Sequence, residues 1–140
     1  MRALIRRSVT AAALVGSAAG CDPAPTVHLE PGSRPDSVLF HIYEGTDSLH
    51  AASDLSDIRV HRCASELDIM WDLTRARGDN PNRRRIIRYG EVPDIYWRVH
   101  RAPKPLTEGC YVITVRTFAL PSWHRIIVEG DSITPSYGAQ

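Results

Sequence analysis

The sequence of 140 residues has little lysine, few aromatic residues and no excess of either charge. Lysine occurs once, at Lys104, among 17 basic residues, and aromatic residues make up 7% of the chain. The 16 acidic residues leave a net charge of +1, which argues against a strongly basic nucleic-acid-binding protein. The length predicts one globular domain, because domains usually span about 100–200 residues. Multi-domain enzymes and multi-pass membrane proteins do not fit these features.

An apolar run near the amino terminus is too short to span a bilayer. Three arginines precede residues 9–20, which are mostly apolar or small. A membrane-spanning helix needs about 20 apolar residues. A positive segment, a short apolar segment and small residues at its end are typical of a secretory signal peptide. The small residues here are Ala18, Ala19 and Gly20, and Cys21 follows them directly.

This arrangement resembles the lipobox of bacterial lipoproteins, in which the signal peptide is cleaved before a cysteine. In that family a lipid is attached to the cysteine thiol and the new amino group is acylated. The resemblance implies a signal peptide over 1–20, a lipidated Cys21 and an extracytoplasmic, membrane-anchored protein of the bacterial cell envelope. Ordinary cleavage after Ala19 would instead leave Cys21 as a plain thiol. Arg6 and Arg7 could also direct a twin-arginine export route.

The three cysteines are an odd number, which in an exported protein needs an explanation. Lipidation of Cys21 would leave Cys63 and Cys110, and export would place this pair where disulfides persist. A bridge between them would close a loop of about 47 residues and stabilise the fold by about 4 kcal/mol in the chain-entropy model. Two unpaired buried thiols are the alternative.

A proline-rich segment follows the cysteine. Residues 22–36 hold four prolines, so we predict a flexible, extended tether over 21–36, a β-domain over 37–130 and a tail over 131–140. Loss of residues 1–20 removes three arginines and no acid. The remaining chain has 14 basic and 16 acidic residues and a net charge of −2. The mild basicity of the whole sequence therefore belongs to the signal peptide.

Short β-rich segments bounded by turn residues follow the tether and predict an all-β, seven-stranded antiparallel β-sandwich. Alternating apolar residues over 67–73 predict a half-buried strand. Apolar residues on both faces of 110–118 predict a central strand, and 49–57 predict a short helix. The seven predicted strands are Val38–Tyr43, Ile58–Cys63, Leu67–Thr74, Arg85–Tyr89, Ile95–Val99, Cys110–Phe118 and Trp123–Glu129.

The segment Leu106–Tyr111 is similar to the entry of the penultimate strand in immunoglobulin-like and fibronectin-like sandwiches. In those domains the tyrosine hydroxyl bonds back to nearby backbone, so the similarity implies an immunoglobulin-like fold with such a bond at Tyr111. Tyr89–Pro93, Pro103–Leu106 and Gly109–Tyr111 together resemble a pattern in small bacterial lipoproteins of unassigned function. That resemblance spans about residues 58–118 and implies a similar domain without an activity.

The six histidines do not have the spacing of a metal site. A metal-binding or enzymatic protein would have to combine His61 with histidines of neighbouring strands, such as His41 or His124. The chain also lacks a G-x-S-x-G nucleophile motif. We therefore predict no catalytic residue, no metal ligand and no cofactor, and keep the His61 arrangement as an alternative.

An arginine cluster surrounds the turn residues 78–82, and its position predicts the tip of a hairpin. Such a tip could bind an anionic headgroup, an anionic envelope polymer or an acidic partner. A solvated loop in an arginine-rich sequence is the alternative. The possible anion-binding residues are Arg75, Arg77, Arg83, Arg84, Arg85 and Arg88.

The larger aromatic residues separate into two predicted groups. Trp71 and Trp97 lie on apolar strand faces and are expected in the core, whereas Trp123 and Tyr96 are expected to be exposed and able to stack on a sugar. The sequence as a whole predicts a non-catalytic interaction or accessory module of the cell envelope. Its expected partners are the membrane, through the lipid anchor, and an envelope protein or anionic envelope polymer, without nucleic acid.

Overall fold

The computed structural model describes residues 24–76, 78, 80–118 and 120–137. All regular structure within these ranges is β, with ten strands in two antiparallel sheets and no helix. No segment in these ranges therefore has a helix long and apolar enough to cross a membrane. The strands are β1 Pro25–Leu29, β2 Leu39–Glu44, β3 Asp47–Ala51, β4 Leu55–Arg62, β5 Ser65–Arg75, β6 Ile86–Arg88, β7 Trp97–Arg101, β8 Gly109–Thr117, β9 Pro121–Glu129 and β10 Ser132–Pro135.

The larger sheet has six strands in the order β10-β9-β8-β4-β5-β7. The smaller sheet has the order β1-β2-β3, and β6 also pairs with β2. Strand β8 lies between β9 and β4, which confirms the central position predicted from its apolar residues on both faces. The chain crosses from the smaller to the larger sheet after β3, returns for β6 and crosses again to β7.

One core lies between the two sheets. The smaller sheet contributes Phe40 and Ile42, and the larger sheet contributes Ile58, Ile113 and Ile126, all fully buried. Strand β1 of the smaller sheet packs against β9 of the larger one. Two sheets that bury their apolar faces against each other make a sandwich-like all-β architecture.

Strand β5 only partly follows its predicted alternation. We expected every second residue over 67–73 to face the core, but Leu67 is 90% exposed while Trp71 is fully buried. The cause is a β-bulge: Trp71 pairs with Val60, whereas the next pair joins Ile69 to His61. The residue between them, Met70, has no partner in this ladder and is buried. A bulge of one residue moves the remaining side chains to the other face of a strand.

The backbone carbonyl of Met70 accepts hydrogen bonds from outside the β4–β5 ladder. The Lys104 N–H donates to it at 2.9 Å, and the Tyr89 hydroxyl lies 3.1 Å from it and 2.7 Å from the Lys104 carbonyl oxygen. Burial raises the pKa of Tyr89 to about 12, so its hydroxyl stays protonated as a donor. These bonds satisfy backbone groups that the bulge would otherwise leave unpaired.

The Cys63–Cys110 disulfide is present, as predicted. It joins the residue after β4 to the second residue of β8, with 5.3 Å between the two Cα atoms. That separation lies within the usual range for a disulfide. The Cys63 N–H also donates to the Cys110 carbonyl oxygen at 3.0 Å, so the bridge lies beside a backbone pair.

The hydroxyl of Tyr111 bonds to nearby backbone, as its resemblance to a tyrosine corner implies. It donates to the Thr107 carbonyl oxygen at 2.7 Å and accepts from the Thr107 N–H at 3.0 Å. The Tyr111 ring is fully buried, and the Arg62 guanidinium carbon lies 5.2 Å from its centre. The turn before β8 is thereby held against the core.

Four predictions of organisation need correction. There are ten strands among the described residues, not seven. The tether predicted over 21–36 is wrong for Pro25–Leu29, which form β1, and the predicted tail contains β10. The helix predicted over 49–57 is replaced by the end of β3 and the start of β4. Pro25 and Pro135 occupy the first and last positions of their strands, where a missing N–H is tolerated.

Candidate functional site

A polar cleft of about 260 Å³ lies on the outer face of the larger sheet, opposite the core. Three neighbouring strands, β5, β4 and β8, contribute all of its lining side chains. Its lining consists of charged, imidazole and hydroxyl groups: Asp57, Arg59, His61, Glu66, Asp72, Thr114 and Arg116. We call the solvent side of this sheet the outer face.

Strand alternation places these side chains in the cleft. In β4, Ile58 and Val60 are fully buried in the core, so Asp57, Arg59 and His61, which alternate with them, point to the outer face. The same alternation in β8 buries its odd-numbered residues from 111 to 117 and turns the residues between them outward. The cleft is therefore a direct product of the period-two pattern.

An ion pair anchors the floor of the cleft. Arg59 Nη2 donates to Asp72 Oδ2 at 3.0 Å, and Asp72 is only 7% exposed. A buried carboxylate needs such a partner because desolvation of an unpaired charge is costly. Beside it, the Ser56 hydroxyl lies 2.5 Å from Asp57 Oδ2 and 3.0 Å from the Arg116 carbonyl oxygen.

His61 has one ring nitrogen engaged by the backbone. Its Nδ1 lies 2.8 Å from the Arg62 carbonyl oxygen, which can only accept, so Nδ1 carries the proton. The neutral ring then offers Nε2 as an acceptor. The structure thus brings His61 together with Asp57 and Asp72 in one cleft, which sequence alone did not predict.

The structure does not bring His61 to either of the histidines proposed for a metal site. His41 lies on β2 of the smaller sheet, with its ring 5.2 Å from that of His28. His124 alternates with the outward residues of β9 and is buried, so it lies on the opposite face of the larger sheet. Across the described ranges, no three histidine, cysteine or acidic side chains are grouped so that they could hold a metal ion.

The arginine-rich segment is not a hairpin tip. Strand β5 belongs to the larger sheet and β6 to the smaller one, so the residues between them cross from sheet to sheet. Asn82 anchors this crossover: its side-chain nitrogen donates to the carbonyl oxygens of Ala52 and Arg84, each at 3.0 Å. The hairpin prediction failed because the turn residues at 78–82 also suit a connection between layers.

The predicted anion-binding arginines that the structure describes do not form one surface. Arg75 is buried, with its guanidinium carbon 5.8 Å from the centre of the Tyr96 ring. Arg77 lies outside the described residues. Arg88 pairs with Glu91 at 3.2 Å. The exposed members are Arg83, Arg84, Arg85 and Arg88.

The predicted division of the aromatic residues is confirmed. Trp71 and Trp97 are buried in the core, whereas Trp123 and Tyr96 are exposed. Trp123 lies on β9 and pairs with Thr114 of β8, one of the residues that line the cleft. An exposed tryptophan therefore stands at the margin of the outer face.

Histidines also gather near the contact between β1 of the smaller sheet and β9 of the larger one. His28 and His41 pair across β1 and β2, and His41 Nδ1 lies 3.9 Å from Glu30. Burial, and secondly the charge of His41, lowers the pKa of His28. Burial, and secondly the charge of His28, lowers the pKa of His124. Within the part of the chain that the structure describes, the Nε2 atoms of His41 and His124 are buried and have no hydrogen-bond partner.

These lowered pKa values predict that the fold loses stability on mild acidification. In the unfolded chain His28 and His124 regain their ordinary pKa of 6.5, so the unfolded state takes up protons first as the pH falls. The contribution of these two histidines to the free energy of unfolding is complete above about pH 6.5. It decreases below that pH, until the histidines of the folded chain are also protonated. Urea unfolding between pH 7.5 and 5 checks this expectation.

The matched variants are His124→Gln and His100→Gln. His124→Gln should lose less stability than the parent chain over the same pH interval, because one buried titrating group is gone. His100→Gln, a change at an exposed position of β7, should follow the parent chain. Equal pH dependence in all three proteins would contradict the assignment.

Sequence reasoning missed the arginines of the outer face because they are dispersed along the chain. Arg59, Arg98, Arg101 and Arg116 come from three strands and become neighbours only through strand pairing. The available signal was alternation: Arg59 and Arg116 each stand between residues that are fully or largely buried. A cluster in sequence, such as that at 83–85, attracts notice without being a cluster in space.

No family model, curated protein or solved structure matches this chain.

Proposed function

We propose that this protein is a lipid-anchored, extracytoplasmic protein whose β-domain acts as a non-catalytic interaction or accessory module of the cell envelope. The amino-terminal arginines, the apolar run of residues 9–20 and the small residues before Cys21 support export and lipidation. An anchor of this kind would keep the domain at a membrane surface and present its outer face to the envelope.

The observation that carries this proposal is the Cys63–Cys110 bridge. It accounts for two of the three cysteines and leaves Cys21 as the odd one. Structural disulfides are characteristic of exported proteins and rare in the reducing cytoplasm. The bridge therefore supports an extracytoplasmic location, and the position of Cys21 after a signal-like segment supports its lipidation.

We further propose that the domain is an immunoglobulin-like β-sandwich. Two antiparallel sheets around one core support this type, as does the Tyr111 hydroxyl bonded to Thr107 at the entry to β8. Sandwiches of this type commonly serve as binding modules, an argument from fold alone. The open, polar outer face supports a role in contact with a partner.

The intact mass of the protein extracted from cell membranes tests the proposal. We expect a chain that begins at Cys21, carries added acyl mass and gains two hydrogens on reduction. A Cys21→Ser variant should show no added acyl mass, and its disulfide should still form. An unmodified chain beginning at Cys21 or elsewhere would overturn lipidation, and the absence of a mass change on reduction would overturn the bridge.

A further inference from the structure

Strand register arranges the outer face of the larger sheet in rows that run across the strands. One row crosses five strands, from β9 through β8, β4 and β5 to β7, and its members are Trp123, Thr114, Arg59, Asp72 and Arg101. Adjacent strands lie about 4.8 Å apart, so the four intervals span about 19 Å. Side chains paired in this way point to the same side of the sheet.

A second row lies beside the first and repeats its mixture of groups. Its members, in the same strand order, are Pro121, Arg116, Asp57, Thr74 and Arg98. His100 adds an imidazole, with Nε2 2.6 Å from the Thr74 hydroxyl oxygen. Both rows therefore place arginine, carboxylate and hydroxyl groups side by side.

Cations outnumber carboxylates on this surface. The two rows hold four guanidinium groups against Asp57 and Asp72; Arg125 of β9 adds a fifth guanidinium at their margin, and Glu66 of the cleft adds a third carboxylate. The chain after residue 20 carries a net charge of −2, so the positive charge of this face is opposite in sign to the net charge of the domain. Such a concentration of guanidinium groups attracts an anionic partner.

The remaining groups identify the kind of anion. Asp57 and the hydroxyl of Thr114 can accept hydrogen bonds from a ligand that carries hydroxyl groups, whereas a phospholipid phosphate would meet only repulsion at a carboxylate. Trp123, which is 52% exposed, offers an aromatic surface at the end of the first row. A ligand with anionic groups, many hydroxyls and apolar ring faces matches all three features.

We infer that the outer face of the larger sheet binds an acidic polysaccharide, laid across the strands along the two rows. The guanidinium groups of Arg98, Arg101 and Arg116 contact its anionic groups, in the bidentate manner that arginine favours with carboxylates and phosphates. Asp57 and the threonines bond to its hydroxyls, and Trp123 packs on a sugar ring. The inference rests on the proposed role of the domain as a non-catalytic interaction module.

Binding of alginate, a polyuronate, by the full chain purified in detergent tests the inference, with neutral dextran as the comparison. We expect alginate to bind more tightly than dextran and to bind less tightly as salt increases. The variant Arg98→Ser/Arg116→Ser should lose about tenfold in affinity, because each side chain supplies a charge-assisted contact. Trp123→Ala should lose about fivefold.

The matched control is Arg83→Ser/Arg84→Ser, which removes the same charge from two exposed arginines of the crossover segment. This variant should bind alginate like the parent chain. Equal losses in the two double variants would show general attraction of charge and overturn the assignment of the face. A loss confined to the control would move binding to the crossover segment and would also overturn it.

Two further comparisons separate other sources of binding. The lipid anchor would insert equally into vesicles of anionic phosphatidylglycerol and of zwitterionic phosphatidylcholine, so a difference in retention between the two reports on the protein surface. Stronger retention on phosphatidylglycerol, without binding to alginate, would identify a membrane-binding face and overturn the inference. Equal affinity for dextran and alginate would show that the polysaccharide need not carry anionic groups, and would overturn the inference. Release of new reducing ends from alginate would contradict the proposed non-catalytic role while supporting the binding face.

Discussion

Replacement of Cys63 and Cys110 together by Ser is expected to lower the free energy of unfolding by about 4 kcal/mol. The bridge spans 47 positions of the chain, and the chain-entropy model gives this value for a loop of that length. The bridge restricts the unfolded ensemble, and it also ties the end of β4 to the start of β8 within the larger sheet. Domains of this size have about 5–15 kcal/mol of stability, so the loss would be a large fraction.

Urea unfolding with and without a reductant measures this effect. The parent chain should become about 4 kcal/mol less stable in the reductant, whereas Cys63→Ser/Cys110→Ser should not respond to it. A parent chain with the same unfolding midpoint in both conditions would show that the bridge does not contribute. The comparison uses one protein in two states, so it separates the bridge from any packing change caused by serine.

Trp71→Ala is the second large effect, with an expected loss of about 3–5 kcal/mol. Trp71 is fully buried, and its ring meets that of Tyr89 edge to face at 5.2 Å between centres. The substitution removes the largest fully buried side chain and leaves a cavity next to the bulge at Met70. Such a cavity costs both the lost transfer energy and the lost contacts of its lining.

Trp123→Ala is the matched control for this core substitution. It deletes the same side chain from an exposed position on the outer face and should change stability by no more than about 0.5 kcal/mol. Circular dichroism is the suitable measurement, because both substitutions alter the tryptophan fluorescence. Similar losses in the two variants would contradict the placement of Trp71 in the core and Trp123 at the surface.

The parts of the fold that local pattern could predict are those with long, regular strands. Strand β8 has apolar residues on both faces and lies in the middle of the larger sheet, as expected. The hydroxyl bond of Tyr111 and the exposure of Trp123 were also expected, the first from a resemblance and the second from its neighbours. In each case the deciding information lies within about ten residues of sequence.

Features that depend on distant pairing were not predictable in this way. Strand β1 has proline at its first position and lies in a segment of tether-like composition, yet it pairs with every residue of β2 except the first, Leu39, and packs on β9. The bulge at Met70 has no sequence signal of its own, because it arises from the register between β4 and β5. Arg75 is buried for a similar reason, since it pairs with Trp97 of β7.

Local sequence pattern was enough to predict the all-β class, the central strand, the pair of cysteines available for a bridge and an anchor at Cys21. It could not predict which arginines are neighbours, because that depends on the tertiary structure. Local periodicity determines which side of a strand a residue faces, but the strand order and register determine which residue stands beside it. Arg59, Arg101 and Arg116 are far apart in sequence and share one surface because β4, β7 and β8 belong to the same sheet.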